Sequence, residues 1–314
     1  MLVTSTCETQ RQATPHMGSA PQRTTVAIAS GKGGTGKTTV AIALALTAPR
    51  PVRLLDCDVE EPNCHIFLKP DIQRREPVTV PVPTVDSSKC DGCGECSRIC
   101  QYHAIACLKK VPLVFPELCH GCGGCIAVCP KGAITETGRE IGVIETGTRD
   151  GIEFVQGRLH VGQALSPPLI RAVKKHVARE GLTTIDCPPG TSCPVIAAVK
   201  GADFVVLVTE PTPFGLHDLQ LAVATMRELK LPCGVVINRA DCGDGRVDDY
   251  CRAEDIPVLL KIPDDRRIAE AYSRGESIVD AAPELRGAFA CLHAEMLNRI
   301  QHNQKQGGSS ARPR

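Results

Sequence analysis

Short apolar runs recur along the chain, each bounded by polar residues and each too continuous for a half-exposed strand. Val26-Ala27-Ile28-Ala29, Val52-Arg53-Leu54-Leu55, Leu182-Thr183-Thr184-Ile185, the valine-rich 203–209, Val235-Val236-Ile237 and Val258-Leu259-Leu260 are of this kind. Such runs predict strands buried on both faces. Segments with helical patterning alternate with them: the alanine- and leucine-rich 40–47, which should end near Pro49, then 167–179 with a basic face, 215–230 and 284–300. Alternating strand and helix predicts an α/β fold, a doubly wound parallel sheet covered on both faces. Residues 153–162 read as a strand or hairpin arm. In the last helix Leu285, Phe289, Leu292, Met296 and Ile300 form one stripe; core packing is expected, with binding to a membrane surface as the competing reading.

The pattern breaks once. After Glu60-Glu61-Pro62-Asn63, prolines fall at 77, 81 and 83 and no helical period is visible; the first architecture returns near Thr137. The α/β domain is therefore divided into 24–63 and 138–302, with an inserted domain at 82–137. The polar segments 1–23 and 303–314 are expected to be a disordered extension and a disordered tail.

Composition narrows the function. The chain has 314 residues, 36 Lys plus Arg against 35 Asp plus Glu, 3% aromatics and no Trp. A net charge of +1 with so few stacking residues argues against a nucleic-acid partner. No apolar run approaches the roughly 18 residues of a membrane span, and the first residues lack a signal-peptide core, so a cytoplasmic protein is expected. Its 18 cysteines then call for metal ligation, because a reducing compartment disfavours structural disulfides.

Eight of them form two runs. Cys90, Cys93, Cys96 and Cys100 are spaced C-x2-C-x2-C-x3-C, and Cys119, Cys122, Cys125 and Cys129 repeat the spacing before Pro130. This is the cysteine pattern of bacterial two-cluster ferredoxins, in which the fourth cysteine of each run serves the other cluster. The expected sets are Cys90, Cys93, Cys96 and Cys129 for one [4Fe-4S] cluster, and Cys119, Cys122, Cys125 and Cys100 for the other. The halves superimpose at an offset of 29 residues, Gly92, Gly94 and Ala104-Ile105 recurring as Gly121, Gly123 and Ala133-Ile134. The insertion should thus be an α+β bacterial-ferredoxin-like module with a pseudo-twofold axis. Gln101 stands where proline is expected, which questions the local turn. Paired C-x-x-C sequences also make tetrahedral zinc sites; two three-plus-one runs suit cubanes better. Cys107, inside the module but outside both runs, is expected in its core.

The loop Gly31-Lys32-Gly33-Gly34-Thr35-Gly36-Lys37-Thr38-Thr39 lies between a strand and a helix and has the phosphate-binding spacing G-x-x-x-x-G-K-T. Glycines let backbone N–H groups face a phosphate, Lys37 adds charge, and the Thr38 hydroxyl can hold Mg2+. Asp56 and Asp58 follow the second strand, where ligands of open parallel sheets bind. They are candidates for holding Mg2+ through water and for orienting an attacking water. Asp186-Cys187-Pro188-Pro189-Gly190 has the form of a Walker-B acid followed by a switch glycine that can offer its N–H to a terminal phosphate.

Together the doubled-lysine loop, Asp56-Cys57-Asp58 and Asp186-Cys187-Pro188-Pro189-Gly190 resemble the MinD/ParA/Mrp branch of P-loop ATPases, and more narrowly the MinD-type members that carry an inserted ferredoxin domain. Residues 54–63 and 209–218 also match that subgroup. The resemblance implies that Lys32 reaches the ATP of a partner subunit, so that the active form is an ATP-dependent homodimer or related heterodimer. It implies Lys37 on the β and γ phosphates, Thr38 on Mg2+, Thr39 on the α phosphate, Asp58 on the attacking water, and Asp56 and Asp186 in the outer shell of the metal. Asn238 and the segment at Pro263 would hold the adenine. The C-terminal C-x-x-C through which Mrp-type carriers bridge a cluster is missing. The expected function is ATP hydrolysis coupled to two clusters, serving electron transfer to, or metallocofactor maturation of, a client protein. The alternative is a MinD/ParA-like spatial organiser with the clusters as a sensor or structural element. Amide-forming synthetase chemistry is a more distant reading, since no separate domain for a glutamine-derived amine is visible.

Overall fold

The computed structural model describes residues 23–308; residues 1–22 of the expected extension and residues 309–314 of the tail lie outside them. Strand β1 (Thr24–Ala29) leads through the glycine loop into α1 (Lys37–Thr47), followed by β2 (Val52–Asp56) and the short α2 (Cys64–Leu68). A long strand, β3 (Asp71–Val85), then runs out to a small module of α3 (Glu95–Ile99), the hairpin β4 (Ile105–Leu108) and β5 (Val111–Val114), and α4 (Gly124–Ala127). The chain returns on β6 (Ile134–Arg149) and continues through β7 (Ile152–Leu159), α5 (Pro167–Lys174), β8 (Leu182–Asp186), α6 (Cys193–Val199), β9 (Phe204–Thr209) and α7 (Pro213–Glu228). It closes with β10 (Cys233–Asn238), α8 (Arg246–Ala253), β11 (Val258–Ile262), α9 (Arg266–Ser273), α10 (Ile278–Ala281) and α11 (Leu285–Gly308).

The main sheet has the order β11-β10-β9-β1-β8-β2-β7-β6-β3. Pairing is parallel from β11 to β7 and antiparallel at β7–β6 and β6–β3. Successive residues of β1 point to opposite faces, as a pleated strand requires. Ala27 and Ala29 join the core under α5 to α8, while Val26 and Ile28 join the core under α1, α10 and α11. The parallel, two-faced sheet expected from the apolar runs is therefore present.

Two expectations need correction. The proline-bearing stretch before the cysteines, read as a break between domains, belongs to the main sheet: Pro77, Pro81 and Pro83 lie in β3, an edge strand that bonds only to β6. An edge is where a strand tolerates residues that cannot donate. The β3–β6 ladder runs from Asp71↔Thr148 to Val85↔Ile134, whereas β7 accompanies β6 only over Gly142–Arg149. The cysteine module thus sits on a two-stranded arm continuous with the main sheet, and the boundaries at 82 and 137 fall inside that arm. Second, the last helix does not stop at 300 but continues to Gly308, because no glycine or proline interrupts the run from His302 to Gln306. Its apolar stripe is enclosed as expected, Phe289 and Met296 both at 0% exposure, so it is core and not a membrane-facing surface. Among the described residues no helix is long and apolar enough to cross a membrane.

Candidate functional site

The glycine loop opens at the carboxyl end of β1 and caps α1. Gly34 and Gly36 have φ of 78° and 94°, a backbone that side chains disfavour. A Cβ on Gly36 would stand 2.6 Å from Asn238 Nδ2, and one on Gly31 2.2 Å from the Asp218 carbonyl, while Gly33 and Gly34 face open space. The loop is therefore held from behind by β10 and α7 and left open in front, the form of a cradle for an anion at a helix N-terminus. Lys37 is buried at the start of α1, and Thr39 lies in the same first turn.

Three acids converge on this loop. The Thr38 hydroxyl donates to Asp186 Oδ2 at 2.6 Å, and the Cys64 thiol approaches the same oxygen at 3.3 Å. Asp186 Oδ1 is buried with no hydrogen-bond partner, which is costly unless a cation or water completes it. Asp56 is differently used: its Oδ1 accepts from Asp58 N (3.1 Å), and its Oδ2 from Asn63 N (3.1 Å) and Cys64 N (3.0 Å). Asp56 thereby fixes the turn that carries Asp58. Burial raises the pKa of both Asp56 and Asp186, and in Asp56 the nearby Asp186 charge raises it further. Burial, then the Asp186 charge, pushes Asp58 up to about 7, against the opposing pull of Lys37. Three acids packed around one buried lysine fit a divalent cation, with Thr38 and Asp186 offering the available oxygens.

Other predicted residues are placed as follows. Gly190 has a φ of 93° and lies beside the loop, where the N–H expected to face a terminal phosphate is donated to the Ser30 carbonyl at 3.0 Å. Asn238 donates to the Thr35 carbonyl at 2.9 Å, so it braces the loop. Pro263 follows β11, whose Ile262 carbonyl accepts from Ala240 N at 2.9 Å. Lys32 is paired within its own chain to Glu210 at 3.4 Å, and Arg239 holds the other Glu210 oxygen at 3.1 Å. Sequence reading did not foresee Glu210, Cys64 or the bracing by Asp218, because each comes from a distant segment.

A row of polar residues runs from this site to the arm. In register across five neighbouring strands lie Asp186, Asp56, Gln156, Glu145 and Arg75. The first four are at most 3% exposed. Gln156 donates to Glu145, and Arg75 pairs with Glu145 at 2.5 Å. Screening is weak where charges are buried, and such contacts are correspondingly strong and exacting.

At the end of the arm the cysteines collect in two pockets. One is lined by Cys100, Cys119, Cys122 and Cys125, with Pro81, Pro83 and Glu136 of the arm. The other is lined by Cys90, Cys93, Cys96 and Cys129, with Val85 and Ile134 at the arm's far end. Each run thus lends its fourth cysteine to the other pocket. All eight thiols are free of disulfides. The duplication is structural: Gly92, Gly94, Gly121 and Gly123 all have positive φ, Gly94 and Gly123 cap α3 and α4, and Asp86 N→Ala133 O (2.8 Å) is mirrored by Phe115 N→Ala104 O (2.8 Å). The turn at Gln101 forms as its proline-bearing twin does, His103 N→Cys100 O and Gly132 N→Cys129 O both at 3.2 Å. Ala104 and Ala133 aim N–H groups at the Cys100 and Cys129 sulfurs, 3.2 and 3.3 Å away. Cys107, expected in the core, is half-buried and lines the second pocket.

Comparison with known proteins agrees with the sheet and the loop. Residues 26–278 match the CbiA family, the CobQ/CobB/MinD/ParA nucleotide-binding domain. An uncharacterised protein of Methanocaldococcus jannaschii is 34% identical over 220 residues, 68% of this chain and 77% of its own. An iron-sulfur cluster carrier protein of Aquifex aeolicus is 26% identical over 299 residues, 88% of this chain and 67% of its own. Among solved structures, the cell division ATPase MinD of Pyrococcus furiosus superimposes with a TM-score of 0.55 at 22% identity, covering 88% of this chain and 99% of that one. The chain is therefore a member of the CobQ/CobB/MinD/ParA nucleotide-binding family, with the parallel-sheet P-loop fold of MinD.

Proposed function

We propose that the protein is an ATPase whose nucleotide state is coupled to two [4Fe-4S] clusters on an inserted ferredoxin-like module, and that it passes electrons, or a metallocofactor, to a client protein. The observation that carries this reading is the continuity of the two sites. The row Asp186, Asp56, Gln156, Glu145 and Arg75, in register across five strands, runs from the acids of the nucleotide loop to the base of the arm that carries eight cysteines.

On the nucleotide side, the loop glycines and Lys37 bind the phosphates, Thr38 and Asp186 hold Mg2+, and Asp58 orients the attacking water. Asp58, with a pKa near 7, is close to balance between its charged and neutral forms, and Asp56 fixes its position. Lys32, released from Glu210, would act across an ATP-dependent dimer, which makes hydrolysis depend on pairing. On the module side, two sets of four free thiols with the spacing of two-cluster ferredoxins suit cubane clusters, and these supply one-electron storage when bound. Backbone N–H groups at Ala104 and Ala133 stabilise negative charge on the ligating sulfurs. The similarity to an iron-sulfur cluster carrier points the same way.

Anaerobic purification followed by iron and sulfide counts and EPR of the reduced protein tests the cofactors. About eight irons and eight sulfides per chain are expected. Stoichiometric zinc with no EPR signal would overturn the reading. Gel filtration tests the dimer: ATP should pair the wild type and leave Lys32→Ala monomeric.

A further inference from the structure

The two cysteine pockets share the glycine turns, the alanine N–H groups and the cross-lent fourth cysteine of the 29-residue repeat, but their charged linings differ. Of the equivalent positions that carry different chemistry, Asp91 and His120 or Glu95 and Gly124 among them, one pair lies beside the capping glycines. Cys107 in one half corresponds to Glu136 in the other. A Cβ on Gly94 would meet Cys107 Cβ at 3.9 Å, and one on its twin Gly123 would meet Glu136 Oε1 at 3.8 Å. Cys107 lines the pocket of Cys90, Cys93, Cys96 and Cys129, and Glu136 lines that of Cys100, Cys119, Cys122 and Cys125.

The other charges do not cancel this difference. The first of these pockets is also lined by Asp91, Glu95 and Lys131. Each acid there has a cation of its own, Lys131 on Asp91 at 3.9 Å and Arg98 on Glu95. Glu136 has no ion-pair partner among the described residues. No lysine or arginine of the described residues lines its pocket, and His120 there is stacked on Tyr102 with ring centroids 3.6 Å apart. A carboxylate is charged at neutral pH, while a thiol is largely not. One pocket therefore faces compensated charge and the other faces a net negative one.

We propose that Glu136 makes the two clusters unequal, lowering the reduction potential of the one held by Cys100, Cys119, Cys122 and Cys125. This rests on the reading of the pockets as [4Fe-4S] sites. Adding an electron to a cluster beside an uncompensated carboxylate is opposed by repulsion that the other cluster does not meet. The placement gives the difference a direction. The Glu136 pocket includes Pro81 and Pro83, nearer the main sheet along the arm, and the other includes Val85 and Ile134 at its far end. A single electron entering the module accordingly rests on the cluster at the far end, away from the nucleotide domain. The step is a one-electron exchange between clusters: the near one is oxidised by one electron as the far one is reduced by one.

The test is an EPR-monitored redox titration of the full-length protein at pH 8, after iron and sulfide counts. Two one-electron waves are expected in the wild type. Glu136→Gln should raise the lower one by a factor of ten or more in its equilibrium constant, about 59 mV, and leave the upper wave in place. Cys107→Asp should lower the upper wave. Because Glu136 is exposed, raising the ionic strength should narrow the wild-type gap. A preparation without clusters would overturn this inference together with the reading beneath it. Eight irons with a gap that Glu136→Gln does not change would overturn this inference alone.

Discussion

Asp58→Asn is expected to stabilise the nucleotide-free protein at alkaline pH while abolishing ATP turnover. In the folded chain the Asp58 carboxyl ionises near pH 7 instead of its ordinary 3.8, because it is largely withdrawn from water and faces Asp186. The folded state therefore retains a proton that the unfolded chain gives up. Stability is lost as pH rises from about 4 to 7 and is flat beyond. At about 1.4 kcal/mol per pH unit the ceiling on this loss is about 4 kcal/mol. The carboxyl keeps part of its surface in solvent, and screening reduces the loss to about 2 kcal/mol. Asparagine keeps the shape and the acceptor oxygen without the charge. Urea denaturation in the absence of nucleotide and Mg2+ should show Asp58→Asn more stable than wild type by about 2 kcal/mol at pH 8 and by about half of that at pH 5.5. An equal or lower stability at pH 8, or an advantage that does not depend on pH, would refute the reasoning about these buried acids.

Other perturbations test neighbouring parts. Gly36→Ala should cost about 2–3 kcal/mol in urea midpoints, from a side chain at φ 94° and displacement of the Asn238 amide from Thr35; in an Asn238→Ala background the same change should cost about 1 kcal/mol less. Phe289→Ala, at 0% exposure beneath the sheet, should lower stability by about 3–5 kcal/mol without changing cluster content. Glu210→Gln should free Lys32 and shift the ATP-dependent monomer–dimer equilibrium several-fold toward dimer in sedimentation experiments.

Much of the site was legible because its chemistry lies in contiguous residues. The loop from Gly31 to Thr39, the acids at strand ends and the cysteine spacing each carry their meaning within a few positions. The cross-lending of Cys100 and Cys129 was legible too, since a duplicated run constrains where its fourth member points. The arm was not. Its strands are long and carry prolines, and what makes them strands is pairing between residues some sixty positions apart, such as Thr79 with Glu140. Local propensity cannot report that. The row from Asp186 to Arg75 was hidden for the same reason, as its members come from five segments and align only once the register is set. Glu210 beside Lys32 is likewise a product of folding, β9 having been laid next to β1.

The central claim is that nucleotide chemistry and cluster chemistry are coupled through the arm. It is tested most directly by ATP turnover measured anaerobically in the fully oxidised and fully reduced protein, for wild type and for Glu145→Gln, which removes the carboxylate that accepts from Gln156 and pairs with Arg75. The account predicts turnover that depends on cluster oxidation state in the wild type, and a dependence that is lost or much reduced in Glu145→Gln with all eight irons retained. Identical turnover in both oxidation states of the wild type would contradict it.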